Sequence, residues 1–275
     1  MQKKDPLPSG LYYHYPFLNR KDREQVLNWI KTLSPLWEMR FSEHNPPPEG
    51  DKQRELLRPV YWLGNWQFAC LDYYHPPKGT MYRCLEAEPY PKFLKDIVAR
   101  IEFCAKKYLP KSSFPEGWEL NTCLINFYGN KWEEDKWVDR ARVGEHKDFE
   151  PGPVASLSFG DKAFFQFVQG KQNLDSNFVF SQWLEDSSLQ IFGGERWKSK
   201  TFHRVQRVED KRGEILGPSI INFQTRRINF TFRYVPREHI FKIHEMPKNQ
   251  IEDITPYLKK LAENSAYFKK IIQVL

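Results

Sequence analysis

The chain has 275 residues, of which 40% are hydrophobic, 16% aromatic and 28% charged. That balance excludes a mainly disordered chain and leaves enough apolar material for a substantial core. No apolar run is long enough for a membrane-spanning helix, and the polar segment Met1 to Gly10 lacks the apolar middle of a secretory signal, so cytosolic or nuclear residence is expected. The formal net charge of +7 favours encounter with polyanions. Cys70, Cys84, Cys104 and Cys123 show neither C-x-x-C pairing nor zinc-site spacing, so reduced thiols and no zinc are expected.

In chain order, Asn19 reads as an N-cap, followed by a helix over Arg20 to Leu33 with Val26, Trp29, Ile30 and Leu33 on one face. Two proline-rich stretches, His44 to Gly50 and His75 to Gly79, then flank aromatic clusters at Tyr61 to Trp66 and Tyr73 to Tyr74, predicting loops and short strands. A second helix begins near Pro91 and keeps helical spacing through Phe93, Leu94, Ile97, Val98, Ile101, Ala105 and Tyr108 before Pro110 ends it. From Glu119 the pattern changes to short strands: Leu120–Tyr128, Val154–Phe159, Phe164–Val168, Ser188–Phe192, Phe202–Val208 and Arg227–Val235. Their close spacing predicts an antiparallel sandwich or barrel. A C-terminal helix is expected from an N-cap at Thr255, with Pro256 at its first helical position and Leu258, Leu261, Ile271 and Ile272 as anchors. Without repeats or a linker, a single domain over 1–275 is expected: helices and a substrate lid to 118, the core over 119–235, and a helical extension over 236–275.

The first chemical signal is Gly144-Glu145-His146-Lys147-Asp148. Residues two apart on an extended chain project to one side, so His146 and Asp148 can reach one ion together. Two histidines and one carboxylate on one face of an octahedron leave positions open, the arrangement of non-heme Fe(II) oxygenases. His203, in Phe202-His203-Arg204-Val205, is the candidate third ligand. The strand Arg227-Ile228-Asn229-Phe230-Thr231-Phe232-Arg233 places Arg227, Asn229, Thr231 and Arg233 on one face. Either that face is solvated, or its two arginines hold a dicarboxylate through charge-assisted bonds. Asn126 and Tyr128 share a face of Leu124-Ile125-Asn126-Phe127-Tyr128 and offer an amide and a phenol as donors.

L-I-N-x-Y, H-x-D, V-x-S-L-S-x-G with F-Q-F, a G-G turn, a distal histidine and R-x-N-x-T-F-R occur in that order. The set resembles the AlkB family of Fe(II)/2-oxoglutarate dioxygenases over roughly Glu119 to Val235. The resemblance implies an α+β chain with a double-stranded β-helix (jelly-roll) core flanked by N-terminal helices and a C-terminal helix. It implies that His146, Asp148 and His203 ligate Fe(II), with 2-oxoglutarate and O2 as cosubstrates. Arg227, helped by Tyr128 and Asn229, would pair with the distal carboxylate of 2-oxoglutarate, and Arg233 with Asn126 would orient the one nearer the metal. Trp66 and Tyr73 resemble lid aromatics that stack on an extruded base, with core packing as the competing reading, and Glu150 falls where an acidic residue borders the substrate pocket.

The activity so implied is oxidative demethylation of alkylated bases in DNA or RNA by a monomer, releasing succinate, CO2 and formaldehyde. A protein side chain, a modified tRNA nucleoside, or a decayed nucleic-acid-binding site are the alternatives. A basic run from Arg196 to Arg212, opposed only by Glu209 and Asp210, brackets His203 and suits a phosphate-bearing substrate. Departures from the family pattern are the insertion Gly129 to Val143, Ser188 before the G-G turn, Arg204 after the distal histidine, and Lys171 or Gln172 at a substrate-contact position.

Overall fold

The computed structural model describes residues 7–72, 84–140, 142–170, 178–206 and 213–275. Its first half supplies strand β1 (Leu11–His14), helix α1 (Arg20–Ile30), strands β2 (Val60–Leu63), β3 (Asn65–Trp66) and β4 (Cys84–Glu86), and helix α2 (Lys92–Tyr108). Asn19 caps α1 as expected, its Oδ1 accepting from the Asp22 amide at 2.8 Å. The helix ends three residues earlier than its apolar spacing suggested, because Leu33 turns back to bond the Ile30 carbonyl while staying buried.

The second half folds into β5 (Thr122–Glu133), β6 (Lys136–Asp139), β7 (Val143–His146), β8 (Val154–Gly160), β9 (Ala163–Val168), β10 (Phe178–Leu184), β11 (Leu189–Phe192), β12 (Phe202–Gln206), β13 (Phe223–Arg233) and the short β14 (Ile240–Phe241). One sheet has the order β1-β11-β8-β13-β5-β2, with β6 on β5; the other runs β10-β9-β12-β7. All pairs in both are antiparallel, as the strand spacing predicted, and the fold is the jelly roll that the family resemblance implied. A small third sheet joins β14, β4 and β3.

Strand β13 shows why the layers assemble as they do. Its residues Ile228, Phe230 and Phe232 are fully buried in the main apolar cluster with Val26 and Ile30 of α1 and Leu94, Ile97 and Ile101 of α2. The opposite face carries Arg227, Asn229 and Arg233 toward the smaller sheet. A separate cluster of Val154, Phe165, Phe167, Leu184, Phe192 and Trp197 seals one end between the sheets. Alternation along one strand therefore separates an apolar, helix-covered side from a polar interior.

The insertion over 129–143 is a hairpin: β5 continues to Glu133, turns at Glu134 and Asp135 with φ of 48° and 58°, and returns as β6. Two consecutive positive φ values make the tight turn whose twist matches a hairpin, and Trp132 opposes Trp137 across it. One expectation is corrected: the C-terminal helix is not capped at Thr255. Helix α3 spans Lys248–Ala262 with Pro256 inside it, and α4 (Ala266–Val274) follows, capped by Ser265 Oγ. Burial of Ile254, Leu258 and Leu261 offsets the amide that Pro256 lacks. The four cysteines form no disulfide, and no helix among the described residues is long and apolar enough to cross a membrane.

Candidate metal centre and cosubstrate cavity

His146 ends β7 and His203 lies directly opposite it on β12, so one antiparallel ladder brings the two histidines together. Their ring centroids are 4.2 Å apart. The chain leaves β7 at His146 and delivers Asp148 to the same place, with Oδ2 3.3 Å from His203 Nε2. One ligand atom from each of the three residues lies within 4.8 Å of the others.

The hydrogen bonding around this cluster fits a cation. His146 Nδ1 donates to the Gly144 carbonyl at 2.8 Å, which leaves Nε2 as the ligating nitrogen. Asp148 Oδ2 is buried without a hydrogen-bond partner, an arrangement that a bound ion explains better than an empty protein interior. Burial pushes both imidazoles below the usual histidine range, with the Asp148 charge opposing it, so they are held neutral. Burial alone would raise the Asp148 carboxyl, but neighbouring positive charge, Arg233 foremost, outweighs it and holds it far below the ordinary range. Two neutral imidazoles and one carboxylate are the forms a divalent metal needs.

Beyond the triad a cavity continues to β13 and β5, lined by Asn126, Tyr128, Arg227, Asn229 and Arg233 as well as the three metal-site residues. Strand register explains the grouping, since Arg227 opposes Tyr128 and Asn229 opposes Asn126. Arg227 is buried, donates to Ser158 Oγ at 3.1 Å, and places its Cζ 5.0 Å from the Tyr128 ring centroid. Its Nε is buried without a partner. A buried guanidinium with a spare donor, lining a cavity, has the chemistry to hold an anion. Asn229 is fixed by Ser156 Oγ at 2.8 Å and by Thr231.

The family matching residues 10–233 is described as the 2OG-Fe(II) oxygenase superfamily. The chain belongs to this superfamily. It is a dioxygenase whose metal is Fe(II) and whose cosubstrates are 2-oxoglutarate and O2. The oxygenase also has the fold seen in the structure of OsALKBH1, at a TM-score of 0.52 and 20% identity, over 83% of this chain and 100% of that one. At this identity the likeness is one of fold, an AlkB-like jelly roll with helices at both termini. No curated protein matches the sequence.

Other expected residues fare differently in this oxygenase. Trp66 is not in the cavity: it is fully buried, donates from Nε1 to Glu38 Oε1 at 2.8 Å, and packs against Phe68, Tyr61 and Phe268. Its role is core packing, because β3 points it toward the C-terminal helices. Tyr73 lies outside the described residues, as do Lys171 and Gln172. Glu150 is buried beside Arg233, at 3.5 Å, and does not line the cavity wall. Arg233 lines the cavity, but its guanidinium is committed to Asp148 Oδ1, at 2.9 Å from Nε and 2.7 Å from Nη2.

Of the described basic residues in the run, Arg196 and Lys200 are exposed while Lys198 and Arg204 turn inward. Arg204 bonds Glu145 and Gln166 across the smaller sheet, and Lys198 Nζ is buried near the Asp148 and Glu150 charges. Residues 207–212 lie outside the described residues. Arg58 and Lys198 are the site residues that sequence reasoning missed. Lys198 was hidden among surface-like neighbours, and Arg58 precedes Pro59 in a segment with no motif.

Proposed function

We propose that this oxygenase oxidatively demethylates alkylated nucleobases in DNA or RNA, with His146, Asp148 and His203 as the iron ligands. Arg227, Tyr128 and Asn229 grip the distal carboxylate of 2-oxoglutarate, and Asn126 serves its keto-acid end. The observation that carries the metal and cosubstrate assignment is one cavity walled by the neutral His-Asp-His cluster at one end and the buried Arg227 at the other. The nucleic-acid substrate is supported by the AlkB-like fold and the excess of positive charge. The whole chain is read as a single catalytic unit, because one apolar cluster runs from Leu18 through the jelly roll to Phe268.

When bound, Fe(II) with 2-oxoglutarate and O2 supplies the two-electron oxidation of a substrate C–H bond, with succinate and CO2 as coproducts. The protein's residues place and shield that chemistry. Gly144 holds the His146 ring by its Nδ1–H, and Arg233 holds the Asp148 carboxylate ionised and aimed inward. Phe165 stacks on His203 and, with Val154, Leu184 and Phe192, keeps the wall around the metal end apolar and dry. An N-methyl group hydroxylated there loses formaldehyde and restores the base.

The test is a panel of methylated single- and double-stranded DNA and RNA oligonucleotides, incubated with Fe(II), 2-oxoglutarate and air and read by mass spectrometry. Loss of a methyl mass with stoichiometric formaldehyde is expected, and His146→Ala should abolish it while binding oligonucleotide as wild type does. No demethylated product from any nucleic acid, alongside turnover of a methylated protein or free nucleoside, would overturn the substrate assignment.

A further inference from the structure

The two histidines stand on an irregular ladder. Between the pairs His203–His146 and Val205–Val143, β12 advances two residues while β7 advances three. Gly144 and Glu145 together therefore face the single residue Arg204, which makes a β-bulge in β7. Residues three apart on a regular strand project to opposite faces. Here Val143 and His146 both line the cavity, and the extra residue is what allows it. The bulge also supplies the Gly144 carbonyl that accepts from His146 Nδ1 at 2.8 Å.

A bulge interrupts the ladder, so the strand needs another restraint to keep this register. His203 and Val205 face the cavity, and alternation turns Arg204 to the other side of the sheet. There it donates from Nη1 to Glu145 Oε1 at 2.9 Å and from Nε to Gln166 Oε1 at 3.0 Å. Gln166 opposes Arg204 across β9, so the three side chains form a row over β9, β12 and β7 behind the histidines. The paired side chains are only 11% and 10% exposed. A buried guanidinium fork held by two acceptors is directional as well as strong. Lys147, which follows His146, bonds the Ser199 carbonyl and lies 4.5 Å from the Phe202 ring centroid. Both chain neighbours of His146 thus grip the chain on either side of His203.

We propose that the Arg204–Glu145 ion pair is a positioning device for the metal centre. It holds the bulge of β7 against β12 and so fixes the separation of the His146 and His203 ligand nitrogens. The pair lies on the far side of the sheet from the cavity and acts only through the two histidines. This role accounts for an arginine directly after the distal histidine, where the sequence departs from the family pattern. The inference rests on the reading of His146 and His203 as metal ligands, and the two are separable by experiment.

Calorimetric titration of the metal-free protein with Mn(II), beside urea unfolding of the same samples, provides the test. Arg204→Met combined with Glu145→Leu replaces the pair by apolar side chains, a change that tends to leave stability equal or raise it. The double variant should unfold no earlier than wild type yet bind Mn(II) more weakly by roughly tenfold to a hundredfold, the scale for losing support behind a metal ligand. Its bound Mn(II) should also give a broader electron paramagnetic resonance signal, which a change in stability alone would not produce. Arg204→Lys keeps the charge but loses the fork that spans both acceptors, and should show an intermediate loss. If the double variant fails to fold, Arg204→Lys decides: weaker Mn(II) binding at wild-type stability supports the inference, and wild-type binding overturns it. Wild-type Mn(II) affinity in a folded double variant, alongside its loss in His203→Ala, overturns the inference and leaves the ligand assignment standing. Wild-type affinity in His203→Ala would overturn the ligand assignment itself.

Discussion

At the scale of single residues, the site depends on side chains whose charges are settled by their neighbours. Glu38 is an instructive case outside the cavity. It is buried and accepts hydrogen bonds from Trp66 Nε1 and the Ala69 amide, each at 2.8 Å. Burial raises its pKa to about 7, with the Ala69 and Trp66 donors opposing the rise. A raised folded-state value means that its contribution to stability is fully present below the unfolded carboxyl's 4.5 and is lost as pH rises through about 7. Urea unfolding should therefore show that the wild-type midpoint drops between pH 5 and pH 8 by more than that of Glu38→Gln, which cannot titrate. An equal drop in both would show that Glu38 titrates as an ordinary carboxylate.

The element that organises the molecule is β13. Its alternation was readable from sequence: Ile228, Phe230 and Phe232 had to face apolar matter if Arg227, Asn229 and Arg233 faced an anion or water. Phe230 is fully buried between Trp29 of α1 and Phe159 of β8, with ring centroids 6.5 and 5.5 Å away, and Phe232 lies beside it. Phe230→Ala should cost about 3–5 kcal/mol in chemical denaturation, the range for emptying an aromatic core position. A cost below about 1 kcal/mol would show that the α1 layer does not rest on this strand. Other elements were less legible. Pro256 read as a helix start because proline favours the first turn, and only the packing of Ile254, Leu258 and Leu261 explains a helix that runs through it. The hairpin over 129–143 was hidden because its turn residues, Glu134 and Asp135, are not the glycine or asparagine that usually signals two positive φ values.

On the scale of the whole molecule, the site is a bridge between sheets. His146 and His203 belong to the smaller sheet, while Arg227, Asn229, Asn126 and Tyr128 belong to the larger one. Ligands that touch both sheets should stabilise the folded state by mass action. Mn(II), as an inert stand-in for Fe(II), should raise Tm, and 2-oxoglutarate should raise it further. Each is expected to contribute about 2.7 kcal/mol at a hundred times its Kd. His203→Ala should remove the metal-dependent rise, as read by scanning calorimetry. A rise that survived this change would show that the ion binds elsewhere.

The amino-acid sequence determined which candidate residues could share one site, because ligand type and two-residue alternation are local properties that survive any packing. H-x-D, the distal histidine and the Arg227 to Arg233 face were all visible before folding, and the fold brings them to one cavity. Only tertiary structure decided how the charges are shared. It gave Arg233 to Asp148, buried Lys198, removed Trp66 to the core and brought Arg58 in from a segment without a motif. Those outcomes depend on distances between residues far apart in the chain. Coulomb and desolvation energies act through space, where sequence order has no metric.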